Sequence, residues 1–241
     1  MEKNQATRIS DFATTRWSLV LDAASGGDEQ AASAGLAALC EIYWLPLYRY
    51  LRRTGRSCPD AEDLVQGFFA SLVEKNGLRL ADKEQGRLRA FLLGALKNYA
   101  AKQWRKDHQL KRGGFTEHLS IDWKSAEDGL QFEPAHQLSP DKLYDRDWAH
   151  TLLEKVLDDL SSEEGQQFTQ WKEYLSVQGE HIPYHDLARE SGMSEGAIRV
   201  AVHRLRKLYR RRLKREIGRT LTDTAKVDQE FQALLSALRG D

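Results

Sequence analysis

Residues 184–213 read YHDLARESGMSEGAIRVAVHRLRKLYRRRL, and this stretch is the clearest indication of how the second half of the chain folds. The pattern predicts a short helix that ends near Glu190, a tight turn that contains Gly192, and a longer helix for which Ser194 is the N-cap. Spacing i, i+4, i+7, i+11 defines the buried stripe of the longer helix, which comprises Ile198, Val202, Leu205 and Tyr209. The opposite face is basic and carries Arg199, His203, Arg206 and Arg210. A short helix, a glycine-containing turn and a longer basic helix are typical of a helix-turn-helix unit.

The second helix of such a unit enters the major groove of DNA with its N-terminal residues at base edges. We therefore expect the first turns of this helix to contact bases and the arginine and lysine run from residue 204 onward to contact phosphates. The candidate contacts are Ser194, Glu195, Ala197, Arg199, Val200, His203, Arg204 and Arg206. Helix pairs with such turns also occur as plain packing units. The local charge of +9 between residues 199 and 219 favours the DNA-binding interpretation.

Charge is distributed unevenly although the 241-residue chain has 36 basic and 36 acidic residues and no net charge. Residues 84–112 carry a net charge of +6 and residues 113–170 a net charge of −9. Two basic blocks therefore flank an acidic middle, and nucleic acid is the first candidate partner for the basic blocks. The alternative is that both blocks are solvated helix faces without a partner.

Helical spacing dominates the first half of the chain, which predicts an all-α protein with two helical domains. Residues 13–112 predict a helical bundle of about four helices, among them one that follows Pro59 and one that contains the basic residues of the 84–112 block. Residues 113–144 are acidic and aperiodic and are interpreted as a linker. Residues 145–217 form the second domain, which ends in the helix-turn-helix unit. Residues 218–241 are a tail with a predicted helix whose apolar stripe contains Val227, Phe231, Leu234, Leu235 and Leu238.

Several classes of protein do not fit this sequence. No apolar run approaches the roughly 20 residues of a membrane helix, and the N-terminus lacks the apolar core of a secretory signal. Two cysteines, Cys40 and Cys58, cannot build a disulfide framework, so a reducing cytoplasm is the expected location. No phosphate-binding loop, dinucleotide fingerprint or nucleophile elbow occurs. His181 and His185 are separated by Pro183, which argues against a helical metal site. We therefore expect a non-enzymatic protein with no cofactor and no metal.

Two stretches of the first half resemble a known family. The runs PDAEDLVQGFFASLVEKNGL at 59–78 and GRLRAFLLGALKNYAAKQWRK at 86–106 resemble the core-binding and promoter-melting region of bacterial RNA polymerase sigma factors. The helix-turn-helix stretch is similar to the C-terminal domain of these factors, and the two-domain organisation resembles the extracytoplasmic-function type. The resemblance covers about residues 13–112 and 145–217. The loop GEHIPYHDLA at 179–188 and the tail beyond Gly218 depart from the family pattern.

The resemblance implies a role for each of these segments. The helix after Pro59 would dock on core RNA polymerase through a polar patch on one side, comprising Glu62, Asp63 and Gln66 with Phe69 at its edge. The next helix, with the preceding loop 78–85, would grip and open the downstream promoter element through a polar face comprising Arg87, Arg89, Lys97, Asn98, Lys102, Arg105 and Lys106. Trp104 at the basic end could stack on an unpaired base, although a tryptophan is more often a core residue.

Three questions stay open from the sequence. The rival interpretation is a helix-turn-helix regulator that binds palindromic duplex DNA as a dimer, without sigma activity. An anti-sigma protein is an additional partner that the resemblance allows beside core polymerase and promoter DNA. The tail either completes the core, which is the favoured interpretation, or docks on the sigma domains and regulates access to DNA or polymerase.

Overall fold

The computed structural model describes residues 29–74, 87–109, 138–164, 168, 171–175, 183–221 and 223–240. These residues form seven α-helices, and none of them belongs to a β-strand, which confirms the predicted all-α class. Four sequence expectations concern residues outside the described ranges: the segment 13–28, the loop 78–85, most of the linker, and His181. Within the described ranges, no helix has the length and apolar character needed to cross a bilayer.

The helices are numbered in chain order. They are α1 (Glu29–Arg53), α2 (Cys58–Glu74), α3 (Leu88–Gln109), α4 (Pro140–Glu164), α5 (Tyr184–Ser191), α6 (Glu195–Gly218) and α7 (Val227–Arg239). Two short 3₁₀ turns, Lys172–Leu175 and Thr224–Lys226, complete the secondary structure of the described residues. Within the part of the chain that the structure describes, one antiparallel bridge joins Arg87 to Leu221.

The chain divides into two compact units at boundaries that differ from the predicted ones. The first unit contains residues 1–151 and 217–241, and the second contains residues 152–216. The linker was predicted to extend to residue 144, but α4 begins at Pro140. The first turns of α4 and the whole tail belong to the first unit because their apolar side chains are buried there.

The core of the first unit is rich in aromatic residues. Tyr43 and Tyr48 of α1, Phe68 of α2 and Trp148 of α4 are almost fully buried. The tail helix α7 adds buried Phe231 and Leu234 to this unit. The tail therefore contributes buried side chains to the core of the first unit.

Helix α2 begins with a capping arrangement that explains its start. The Ser57 hydroxyl accepts a hydrogen bond from the Asp60 backbone N–H at 3.2 Å and donates one to the Asp60 carboxylate at 2.6 Å. Such caps satisfy backbone donors that have no partner within the helix. The helix then buries Ala61, Val65 and Phe69 along one stripe, as its sequence periodicity predicts.

The second unit has a smaller core built around the helix-turn-helix. Leu187 of α5, Ile198 and Val202 of α6, and Tyr174 of the preceding 3₁₀ turn form one buried cluster. The Tyr209 hydroxyl donates a hydrogen bond to the Leu153 backbone carbonyl at 3.4 Å. These contacts join the C-terminal part of α4 to α6 within this unit.

Candidate nucleic-acid interface

The turn between α5 and α6 has the geometry that the sequence predicts. Gly192 ends α5 with a φ of +68°, a left-handed conformation that glycine adopts without steric cost. The Ser194 hydroxyl then accepts a hydrogen bond from the Ala197 backbone N–H at 3.2 Å, so Ser194 is the N-cap of α6. Ile198 follows one turn later and is fully buried. The cap and the buried anchor together fix the angle at which α6 leaves the turn.

All eight candidate DNA contacts on α6 and its cap are exposed. We call them the recognition face, which comprises Ser194, Glu195, Ala197, Arg199, Val200, His203, Arg204 and Arg206. Val200 is 51% exposed although it is apolar. An exposed apolar side chain between cations suits contact with a thymine methyl group, while arginine suits guanine.

Arg199 is held in place within the recognition face. Its guanidinium donates two hydrogen bonds to Glu195 Oε1, at 3.2 Å from Nε and 2.6 Å from Nη2, and this contact raises the pKa of Arg199. The guanidinium carbon also lies 5.3 Å from the ring centre of Tyr184. Arg199 is therefore oriented by a carboxylate and an aromatic ring while its side chain remains 63% exposed.

Two other arginines of α6 are partly engaged within the second unit. Arg206 donates from Nε to the Tyr174 carbonyl at 2.9 Å, and Arg212 forms an ion pair with Glu163. An open groove of about 920 Å³ runs along α6 beside the recognition face. The residues that line this groove include Phe168, Trp171, Arg204 and Leu208.

A second cationic surface lies on α3 in the first unit. We call it the α3 basic face; it consists of the exposed side chains Asn98, Lys102, Trp104, Arg105 and Lys106. Trp104 is 50% exposed, so it is a surface residue and not the core residue that its type usually indicates. A half-exposed indole among cations is a feature of proteins that stack and hold unpaired bases.

Lys97 lies beside this face and is already paired within the unit. Its ammonium is 2.7 Å from Asp141 Oδ2 and 5.3 Å from the ring centre of Tyr50. The hydrogen bond to Asp141 raises the pKa of Lys97. Because the Lys97 side chain is 41% exposed, it can still reach solvent.

Arg87 and Arg89 do not share the exposure predicted for the polar face of α3. Arg89 is 5% exposed, so its placement on a solvent-facing surface is wrong. Its Nε lies 2.8 Å from Glu230 Oε1, its Nη1 donates to Asp145 Oδ1 at 2.8 Å, and its guanidinium covers the Trp148 ring at 4.6 Å. Burial raises the pKa of Asp145, and the neighbouring Arg89 opposes that shift. Arg87 Nε lies 2.9 Å from Glu230 Oε2.

The predicted polymerase-binding patch on α2 is smaller than expected. Asp63 is exposed and Glu62 half-buried, with Glu62 accepting a hydrogen bond from the Cys58 thiol at 3.1 Å. Gln66 is 4% exposed and Phe69 is fully buried, so neither projects from the surface. Both side chains follow the apolar stripe of the helix instead of its polar side.

Sequence reasoning missed Glu230 as the partner of Arg87 and Arg89. A signal was present, because residue 230 lies three positions after Val227 and four before Leu234, within the apolar stripe of the tail helix. An ionised carboxylate at such a position needs a cation nearby, because an unpaired buried charge is costly. The sequence alone did not indicate which cation that is.

The described residues contain no group of His, Cys, Asp and Glu side chains that could hold a metal ion. Comparisons with protein-family models, curated proteins and solved structures found no match.

Proposed function

We propose that the protein is an RNA polymerase sigma factor of the extracytoplasmic-function type, which binds core polymerase and directs promoter recognition and transcription initiation. The single observation that carries the proposal is the capped helix-turn-helix with an exposed recognition face that carries several cations. This geometry supports contact between the first turns of α6 and the minus-thirty-five element in the major groove. The sequence resemblance supplies the assignment to sigma factors.

The α3 basic face supports a role at the minus-ten element. Strand opening requires cations along the backbone of the displaced strand and an aromatic surface for an unstacked base. Lys102, Arg105 and Lys106 provide the charge, and Trp104 provides the aromatic surface. Glu62 and Asp63 remain the candidates for contact with core polymerase, and polar contacts of this kind suit a reversible subunit interface.

Promoter opening by the reconstituted holoenzyme tests the proposal. The purified chain, core RNA polymerase and a genomic promoter library are combined, and unpaired thymines are detected with permanganate. We expect melting only when both proteins are present. The triple variant K102A/R105A/K106A should lose melting because it removes three charges of the α3 basic face.

A matched control separates the local effect from a change in net charge. The variant K142A/K226A/R239A also removes three exposed cations from the same unit, and it should retain melting. Tight binding to palindromic duplex DNA without polymerase, together with no melting, would refute the sigma assignment and support the dimeric regulator instead.

A further inference from the structure

The carboxylate of Glu230 occupies the space between two arginines of the first unit. Its two oxygens lie 2.8 Å from Arg89 Nε and 2.9 Å from Arg87 Nε. The glutamate side chain is 2% exposed, whereas that of Arg87 is 41% exposed. One edge of this cluster therefore opens to solvent at Arg87 and the other is closed by α7.

A phosphodiester has the same chemistry as the group that Glu230 supplies. Each presents two oxygens that share one negative charge, and arginine binds both kinds of group with charge-assisted hydrogen bonds. Asp145 and the Trp148 ring hold Arg89 from other sides. Arg89 would therefore stay in place if the Glu230 carboxylate moved away, because Asp145 and Trp148 would still contact its guanidinium.

Helix α7 docks on the first unit through a small buried face. Its thirteen residues bury only Glu230, Phe231 and Leu234. Ordering a helix costs conformational entropy at every residue, and a buried ion pair returns little net stability because both charges lose their hydration. An anionic competitor that displaces α7 must therefore replace the Glu230 carboxylate at Arg89 and also overcome the burial of Phe231 and Leu234.

We propose that Arg87 and Arg89 form a binding site for a nucleic-acid backbone phosphate, and that the Glu230 carboxylate of the tail helix occupies this site until nucleic acid displaces it. The inference rests on the proposed function, because it assigns regulation to the surface that would engage promoter DNA. The tail then acts as an internal competitor for the start of α3. Removal of the competitor would extend the α3 basic face by two cations.

Hydrogen exchange of the full-length, wild-type chain tests the displacement directly. The probe is a fluorescein-labelled single-stranded DNA oligonucleotide of mixed sequence, added to saturation as judged by fluorescence anisotropy. We expect slower exchange in peptides of α3 and about tenfold or faster exchange in peptides of α7, since displaced helices lose their protection. Unchanged exchange in α7 at saturation would overturn the proposal.

Variants of the full-length chain test the competition. Glu230→Gln keeps the side-chain shape but removes the charge. Because the glutamine competes less strongly for the two arginines than the carboxylate does, the DNA phosphate should bind them more tightly. We expect about tenfold tighter binding of the oligonucleotide and a salt dependence steeper by about 0.7 for one additional phosphate contact. Asp228→Asn, at an exposed position in the first turn of the same helix, makes the same charge change and should give a smaller gain in affinity than Glu230→Gln.

Two further variants make the result specific. Arg87→Ala combined with Glu230→Gln should abolish the gain, because the phosphate loses one of its two ligands. Phe231→Ala loosens α7 without changing its charge and should also tighten binding, which covers the case in which Glu230→Gln fails to fold. Equal affinities for wild type and Phe231→Ala, or no binding by any variant, would contradict the proposal.

The two proposals can fail separately. The oligonucleotide assays contain no polymerase, so exposure of α7 without promoter opening would leave this site intact and refute only the sigma assignment. Promoter opening without any change in α7 would refute only the competition between Glu230 and phosphate.

Discussion

Gly67 lies at the contact between α2 and α3, the two helices proposed to engage polymerase and promoter DNA. A Cβ atom at residue 67 would lie 2.4 Å from the Tyr99 hydroxyl oxygen and 3.4 Å from the ring carbon that bears it. Tyr99 has little freedom to move, because its hydroxyl accepts a hydrogen bond from Gln103 Nε2 at 2.7 Å and its ring packs against Phe68. The Gly67→Ala substitution therefore requires a shift of Tyr99 or of the helix.

Two opposing effects decide the result of Gly67→Ala. Alanine is favoured over glycine in a helix interior by about 1 kcal/mol. Overpacking of a well-filled contact costs about 1–3 kcal/mol. The Gly67→Ala variant should therefore lose up to about 2 kcal/mol of unfolding free energy. At a helical position with open space around the glycine, the same substitution would stabilise the protein.

In a variant that lacks the Tyr99 hydroxyl, Gly67→Ala should stabilise the first unit instead of destabilising it. Tyr99→Phe alone loses the hydrogen bond from Gln103, which costs about 1 kcal/mol. In the double variant Gly67→Ala/Tyr99→Phe the clash is relieved, so a coupling energy of about 1–3 kcal/mol is expected from the cycle. The phenylalanine keeps the packing of the ring against Phe68.

Urea unfolding followed by circular dichroism measures these differences as shifts of the midpoint. Because the chain has two compact units, Ile198→Ala serves as a marker that shifts the transition of the second unit. Stabilisation of the first unit by about 1 kcal/mol in Gly67→Ala would refute the reasoning, and so would additive effects of the two substitutions.

Three other substitutions or conditions test separate parts of the structure. Ser194→Ala removes the cap of α6 and should lower the stability of the second unit by about 1 kcal/mol, whereas Ser194→Asp should keep it; thermal melting checks both. Burial raises the pKa of Cys40 to about 12, so about one thiol in ten thousand is ionised near pH 8. Iodoacetamide should therefore modify Cys40 far more slowly in the folded chain than in urea, and mass spectrometry measures the difference. Burial also raises the pKa values of Tyr43, Tyr144 and Tyr209 above 10. The unfolded chain then releases these phenolic protons first, so the unfolding free energy should fall as the pH rises above about 10, and a flat profile there would contradict their burial.

The helix-turn-helix could be predicted from the sequence because the interactions that define it are local. The Ser194 cap spans three residues, the Gly192 turn needs one backbone conformation, and the stripe led by Ile198 repeats with the helical period. Each of these features depends on neighbours within a few turns, so the one-dimensional pattern contains the information. The exposure of the recognition face follows from the same periodicity.

The burial of particular polar side chains could not be predicted in this way. Arg89 and Gln66 are long polar residues, and residue type alone favours placing them at the surface. Arg89 is buried because Glu230 and Asp145, both remote in sequence, meet its guanidinium. Trp104 shows the converse, since a residue type that is more often buried is 50% exposed.

The all-α class, the helix-turn-helix and the cationic character of α3 and α6 could all be read from local sequence patterns, because helix formation and capping depend on short-range contacts. The placement of the tail and of the start of α4 in the first unit could not, and neither could the contact of Arg87 and Arg89 with a buried carboxylate. The burial of a charge, in contrast, depends on whether a distant segment brings the opposite charge to it.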